Sequence, residues 1–129
     1  MRGLLDTSVF VGREAGRAVD ELPDEAALSV ITLAELTLGV RMAEQRGDSD
    51  LAGLRQATLD AVAVTFDVLA VDRQIASVCA AIRAGGRARN LRFGPFDSLI
   101  AATAVVHGLP LYTQDTQFSD MVGVQTRLI

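Results

Sequence analysis

Short apolar runs alternate along the chain with longer stretches of helical period. Gly3 to Leu5 is a brief apolar run ending at Asp6-Thr7-Ser8, the pattern of a strand passing into a helix start. Val9 to Glu21 has helical character and is broken at Leu22-Pro23-Asp24. Ala27 to Ile31 predicts a second strand, after which Thr32-Leu33-Ala34-Glu35 opens a helix to about Gln45 with Leu33, Leu36, Val40 and Ala43 on one face. Arg46-Gly47-Asp48-Ser49 is a turn in which Asp48 or Ser49 caps a helix from Asp50 to about Thr65. Val68 to Val71 predicts a third strand, and Asp72 caps a helix from Arg73 to about Ala84 that stops at Gly85-Gly86. Arg87 to Pro95 is irregular. Asp97 begins a helix over Ser98 to His107, closed by Gly108, and Leu109 to Thr113 and Val124 to Ile129 predict the last two strands.

Strands separated by helices need crossover connections, which imply a parallel sheet covered on both faces. The expected fold is therefore α/β, a three-layer α/β/α domain with a mostly parallel sheet of four to five strands. No repeat, low-complexity tract or Pro/Ser-rich linker interrupts it, so residues 1–129 are expected to form a single domain. A chain of 129 residues, half of them hydrophobic, can bury a sizeable core.

Four acids fall at positions that matter in such a fold. Asp6 follows the first strand, Glu35 lies in the first turn after the second, Asp115 lies just beyond the fourth, and Asp97 starts a helix. Open parallel sheets bind ligands outside the carboxyl ends of their strands. Asp6, Glu35 and Asp115 share that edge, and Asp97 joins them if its helix runs back across the sheet. Two unit charges about 4 Å apart repel by about 4 kcal/mol at an effective dielectric of 20, so a cluster of this kind attracts protons or cations. Oxygen donors without a His or Cys cluster suit Mg²⁺ or Mn²⁺ rather than Zn²⁺. The chemistry expected of this pocket is metal-assisted phosphodiester hydrolysis. Each acid also has a structural reading. Thr32-x-x-Glu35 is a capping box, Asp97 is an N-cap, Asp115 is a turn residue, and Asp6, Thr7 or Ser8 caps the first helix.

Charge narrows the partners. The chain carries 16 acids against 12 bases, for a formal charge of −4, and every base is arginine. Bulk charge alone does not draw it to nucleic acid. Arg83, Arg87, Arg89 and Arg92 precede Asp97 as a basic stripe, and Arg87 and Arg89 are candidates for contact with a phosphate backbone. A solvated helix end accounts for the same stripe. The absence of lysine excludes a P-loop. Cys79, the single cysteine, excludes a disulfide framework and reads as a small core residue, and His107 reads as a helix-end cap. The N-terminus has no apolar secretory region, and the run from Leu99 to Val106 is far short of the ~20 residues a membrane span needs. A cytoplasmic protein without membrane contact is expected.

Four segments together resemble the PIN-domain family, most closely its VapC-type toxins of bacterial toxin–antitoxin pairs. They are Leu5-Asp6-Thr7-Ser8-Val9, Ser29-x-x-Thr32-x-x-Glu35-Leu36, Asp97-x-x-Ile100-Ala101-Ala102-Thr103-Ala104 and Thr113-x-Asp115-x-x-Phe118, in order and spanning Leu4 to Phe118. The resemblance implies a Mg²⁺- or Mn²⁺-dependent endoribonuclease that a cognate VapB-type antitoxin blocks. By position it implies Asp6 and Asp97 as metal ligands, Glu35 as ligand or water activator, Asp115 as a further acid of the site, and Thr113 as a hydroxyl that orients a carboxylate. It also implies a homodimer, an antitoxin peptide near the acidic groove, and stable RNA such as tRNA or rRNA as substrate. Phe93-Gly94-Pro95-Phe96 departs from relatives, which often carry a polar residue directly before the Asp, so the groove wall differs here. Receiver domains and haloacid-dehalogenase-like phosphatases share acidic pockets but place a lysine in them, which this chain lacks. The rival expectation is a non-catalytic PIN-like module that binds RNA or protein; its degenerate members would lose some of the four acids.

Overall fold

A computed structural model describes residues 2–129. The elements run β1 (Arg2–Leu5), α1 (Thr7–Glu14), β2 (Glu25–Ser29), α2 (Val30–Gln45), α3 (Ser49–Thr65), β3 (Asp67–Leu69), α4 (Arg73–Ala88), α5 (Pro95–Val106), β4 (Leu111–Thr113) and β5 (Thr126–Leu128), with a 3-10 turn at Thr116–Asp120 before the last strand. All five strands are parallel, in the order β3-β2-β1-β4-β5.

Alternation within each strand builds the layers. Leu4, Ala27 and Leu111 face one side, where α4 and α5 cover them with Ile75, Ile82, Ile100 and Ala104. Their neighbours Leu5, Leu28 and Tyr112 face the other side, against Phe10, Leu36 and Val62 of α1, α2 and α3. Three layers result, as the alternating pattern predicts. The chain enters at the central strand β1, winds outward through β2 and β3, and returns to its other side at β4. The crossover direction thus reverses between β1 and β4, and a crevice opens outside their carboxyl ends.

Several boundaries differ from the sequence expectation, each for a local reason. α1 ends at Glu14 rather than Glu21, because Gly16 turns left-handed (φ 76°) and its N–H and that of Arg17 bond back to Arg13 and Gly12. α2 starts at Val30, two residues before the expected Thr32. Its cap is Ser29, whose Oγ accepts from the Ile31 N–H at 3.0 Å. β2 stops there because its last pairing, Ser29 with Leu69, exhausts β3. α4 passes through Gly85-Gly86 to Ala88 instead of stopping. Gly86 serves packing: a Cβ there would lie 2.6 Å from Cε2 of Phe93. α5 begins at Pro95, so Asp97 is its third residue and not its cap. The strand cores β3, β4 and β5 are each shorter than their apolar runs, and α3 starts one residue early at Ser49, capped by Asp48. Asp72 caps α4 and Gly108 ends α5 as expected, His107 is that helix's C-cap, and Cys79 is buried.

Candidate active site

Asp6 leaves β1 at the crevice and is 3% exposed. Its backbone N–H donates to the Tyr112 carbonyl of β4 at 2.9 Å, which fixes it between the two central strands. Its Oδ2 caps α1 by accepting from the Ser8 N–H at 3.3 Å. The same oxygen accepts from the Thr113 hydroxyl at 2.9 Å. Capping and site geometry are thus one arrangement here.

A directed chain of hydrogen bonds stands behind that oxygen. The Gln114 N–H donates to Ser8 Oγ at 2.9 Å, and Ser8 Oγ lies 3.1 Å from Thr113 Oγ1. Thr113 has one hydroxyl proton and spends it on Asp6, so Ser8 must be the donor to Thr113. Thr113 Oγ1 also accepts from the Asp115 N–H at 2.9 Å. Thr113 is fully buried, so the strand end, Asp6 and the start of the Asp115 turn are held by one hydroxyl.

Glu35 lies in the second turn of α2, half-buried. Its Oε1 accepts from the Thr7 hydroxyl at 2.6 Å. Thr7 Oγ1 also lies 3.2 Å from the hydroxyl of Thr32. The capping-box reading of Glu35 falls, because Thr32 is a buried residue inside the helix and Ser29 does the capping. Burial pushes the Glu35 carboxyl up, the Thr7 hydrogen bond opposes this, and the Asp6 charge adds to the rise. Replacing Thr7 by Val is expected to raise the Glu35 titration further in the metal-free protein. Carboxyl-carbon NMR across pH 4 to 8 checks this; an unmoved or lowered midpoint contradicts the assignment.

Asp97, in the first turn of α5, makes no cap hydrogen bond, which removes its structural reading. Its carboxyl is pushed up to about 6, first by burial and then by the charges of Asp6, Glu35 and Asp115. Asp97 therefore feels the other three predicted acids across the crevice. Asp115 also caps the 3-10 turn, its Oδ1 accepting from the Gln117 N–H at 2.9 Å.

The acids form a set of hard oxygen donors without His or Cys, which fits a divalent cation such as Mg²⁺ or Mn²⁺. Among the described residues no three His, Cys, Asp or Glu side chains already converge tightly enough to hold an ion.

Arg87 and Arg89 are not brought to the acids. Arg89 Nη2 donates to the Asp120 carbonyl at 2.6 Å, and the residue lines a shallow hollow with Val105 and Val122. Arg87 is an exposed residue in the last turn of α4, now helical rather than loop. Thr7 and Ser8, which the sequence offered only as caps, make hydrogen bonds to Glu35 and Thr113; their positions one and two residues after a strand-end acid were the available signal.

Beside Glu35 a groove of about 380 Å³ runs between α1, α2 and the start of α5. Val11, Leu38, Met42 and Phe96 give it an apolar wall, with Thr7 and Glu35 at the acidic end and Arg46 and Arg55 also lining it. No helix among the described residues is long and apolar enough to cross a membrane.

A profile of the PIN domain matches residues 3–124. The chain belongs to the PIN-domain family. Within that family it stands among the VapC proteins. It is 41% identical to Ribonuclease VapC5 of Mycobacterium tuberculosis over 123 residues, covering 94% of this chain and 88% of that protein. It is 40% identical to Ribonuclease VapC4 of the same organism over 129 residues, covering 96% and 94%. The crystal structure of VapBC-5, a member of the VapBC family of toxin–antitoxin systems from M. tuberculosis, superposes with a TM-score of 0.84 at 36% identity, covering 99% of this chain and 97% of that one.

Proposed function

We propose that this PIN-domain chain, acting as one domain over residues 1–129, is a metal-dependent endoribonuclease toxin that hydrolyses RNA phosphodiester bonds at its four-carboxylate crevice. The observation that carries the reading is the coupling of Asp97, which caps nothing, to Asp6, Glu35 and Asp115, a concentration of negative charge beyond what the capping by Asp6 and Asp115 requires. The similarity to two proteins named ribonuclease VapC supports the choice of RNA.

Asp6, Glu35, Asp97 and Asp115 would hold Mg²⁺ or Mn²⁺, which when bound supplies water activation and charge neutralisation at the leaving oxygen. Glu35 has its Oε1 engaged by Thr7, so Oε2 is the oxygen placed to take a proton from the attacking water. Thr113, oriented by Ser8, holds Asp6 Oδ2, so Oδ1 would be the oxygen left to take an ion. Burial excludes competing water from Asp6, whereas half-buried Asp97 and Asp115 keep the crevice open to a polymer.

The same reading gives the chain a VapB-type antitoxin as partner, supported by its likeness to VapBC-5, a member of a toxin–antitoxin family. The apolar groove at Phe96, Leu38 and Met42 offers such a peptide a seat whose inner end reaches Thr7 and Glu35. A cytoplasmic homodimer with tRNA or rRNA as substrate completes the proposal.

Mapping new RNA 5′ ends across the transcriptome after brief induction tests it, with Asp97→Asn as control. Ends accumulating at one or a few stable RNAs only with the unmodified chain are the expected result. Identical maps from two folded, soluble proteins would favour a non-catalytic binding module.

A further inference from the structure

On the other flank of the acids, away from the apolar groove, lies a hollow of about 570 Å³ whose rim includes Ser8, Arg17, Gln114, Asp115 and Thr116. Among the described residues that line it, Arg17 is the single cation. Among the described residues the Arg17 guanidinium has no hydrogen-bond or ion-pair partner, unlike that of Arg89.

Arg17 is nonetheless not loosely placed. Left-handed Gly16 ends α1, and the Arg17 N–H bonds back to the Gly12 carbonyl at 2.8 Å. Gly12 has no Cβ, and the Gln114 side chain occupies the space one would fill. Gln114 Nε2 reaches over it to the Ala18 carbonyl at 3.3 Å, while its backbone N–H holds Ser8 Oγ at 2.9 Å. The segment around Arg17 is therefore latched to the end of β4, one residue from Asp115. The latch and the Ser8–Thr113–Asp6 relay share Gln114, so Arg17 and the buried acid are registered to the same point of the sheet.

We propose that Arg17 grips a backbone phosphate of single-stranded RNA next to the scissile one, a positioning role resting on the ribonuclease reading above. A crevice of four acids in a chain of net charge −4 repels RNA on both sides of the scissile phosphate. A cation fixed beside Asp115 offsets that repulsion on one flank. A guanidinium suits the task because its planar fork meets two phosphate oxygens at once. The strand then leaves across this hollow, past Gln114 and Thr116.

The test uses full-length Asp97→Asn protein, silent in cleavage. A fluorescein-labelled oligouridylate of about 15 nucleotides is long enough to track a protein groove. Anisotropy titrations at fixed Mg²⁺ and rising NaCl give the salt slope. Neutralising one phosphate contact on a single strand contributes about 0.7 to that slope. Adding Arg17→Ala is expected to lower the slope by about that amount and to weaken binding roughly fivefold at low salt. Arg17→Lys is expected to keep the slope while losing part of the affinity. Arg87→Ala with Arg89→Ala is expected to leave the slope unchanged, which separates a seated contact from bulk charge. An unchanged slope in Arg17→Ala, or an equal loss in the Arg87/Arg89 variant, overturns the proposal and leaves the ribonuclease reading standing. No RNA binding by the parent protein, together with no cleavage by the unmodified chain, sinks both.

Discussion

Replacing Asp97 by Asn is expected to reduce RNA cleavage by on the order of a hundredfold or more while raising the melting temperature of the metal-free protein. The activity loss follows from the position of the carboxylate. A divalent ion is worth several kcal/mol of charge stabilisation, each 1.36 kcal/mol is a factor of about ten in rate, and Asn is the weaker ligand. The fold survives because Asp97 caps nothing: α5 starts two residues earlier at Pro95 with no side-chain cap. Two effects on stability oppose each other. A carboxylate in the first turn of a helix gains about 0.3–1 kcal/mol from the macrodipole, which Asn forfeits. Burial and three neighbouring acids disfavour the same charge, and the carboxyl stands at about 6 despite the helix end. Repulsion and desolvation therefore win. With the folded value raised above the ordinary 3.8, Asp97 binds its proton more tightly in the native state. Its contribution is fully present below about pH 4 and is lost as pH rises through about 6. The metal-free chain should lose stability across that window, and Asp97→Asn should flatten the loss. Thermal melts at pH 4, 6 and 8 in chelator check this. A variant that melts lower than the unmodified chain at pH 8 would contradict the charge cluster.

The layered sheet, the order of its elements and the gathering of four acids at one edge were legible in the chain. Period-2 pairs such as Leu4/Leu5 and Leu111/Tyr112 assign themselves to opposite faces without reference to any partner. Boundaries set by partners were not legible. Val30 and Ile31 are β-branched and continue the apolar run of β2, yet β3 has no residue left to pair beyond Ser29. The strand ends there, Ser29 becomes the cap, and Thr32 and Glu35 turn into the interior pair facing Thr7. The arginines show a different limit. Arg87 and Arg89 are close to Asp97 in sequence, but α4 runs on past Gly86, where Phe93 packs, leaving Arg87 exposed in its last turn and Arg89 turned to the Asp120 carbonyl. Arg17 is 80 residues from Asp97 in the chain and lay within an expected helix. Gly16 was the visible clue that this helix stopped short. What sets Arg17 beside Asp115 is the Gln114 latch, a contact between the end of α1 and the end of β4 that no local pattern encodes.

Thr113→Val should act on stability in the opposite direction to Asp97→Asn. Valine has nearly the shape of threonine and suits a strand, so β4 keeps its packing and its backbone pairing to Ile129. What disappears is one buried hydroxyl with three partners. Asp6 Oδ2 loses its shortest hydrogen bond, the Asp115 N–H loses its acceptor, and Ser8 Oγ loses its place to donate. Leaving a buried polar group unsatisfied costs about 1–3 kcal/mol, more when it is charged, so a melting point lower by several degrees is expected. Cleavage should fall about 10- to 100-fold, the usual cost of removing a group that orients a metal-binding side chain. Thr113→Ser separates polarity from packing. Restoring the hydroxyl without the methyl should recover cleavage to within a few-fold of the unmodified chain, even if some stability is lost to a smaller side chain. If valine instead cleaved as well as threonine and melted at the same temperature, the hydroxyl would be a passive filler and Asp6 would be held by its cap alone. The two variants together divide the crevice energetically. Asp97 destabilises the empty fold by holding a charge where it is unwelcome, and Thr113 stabilises it by holding Asp6 in the one orientation in which that charge is concentrated.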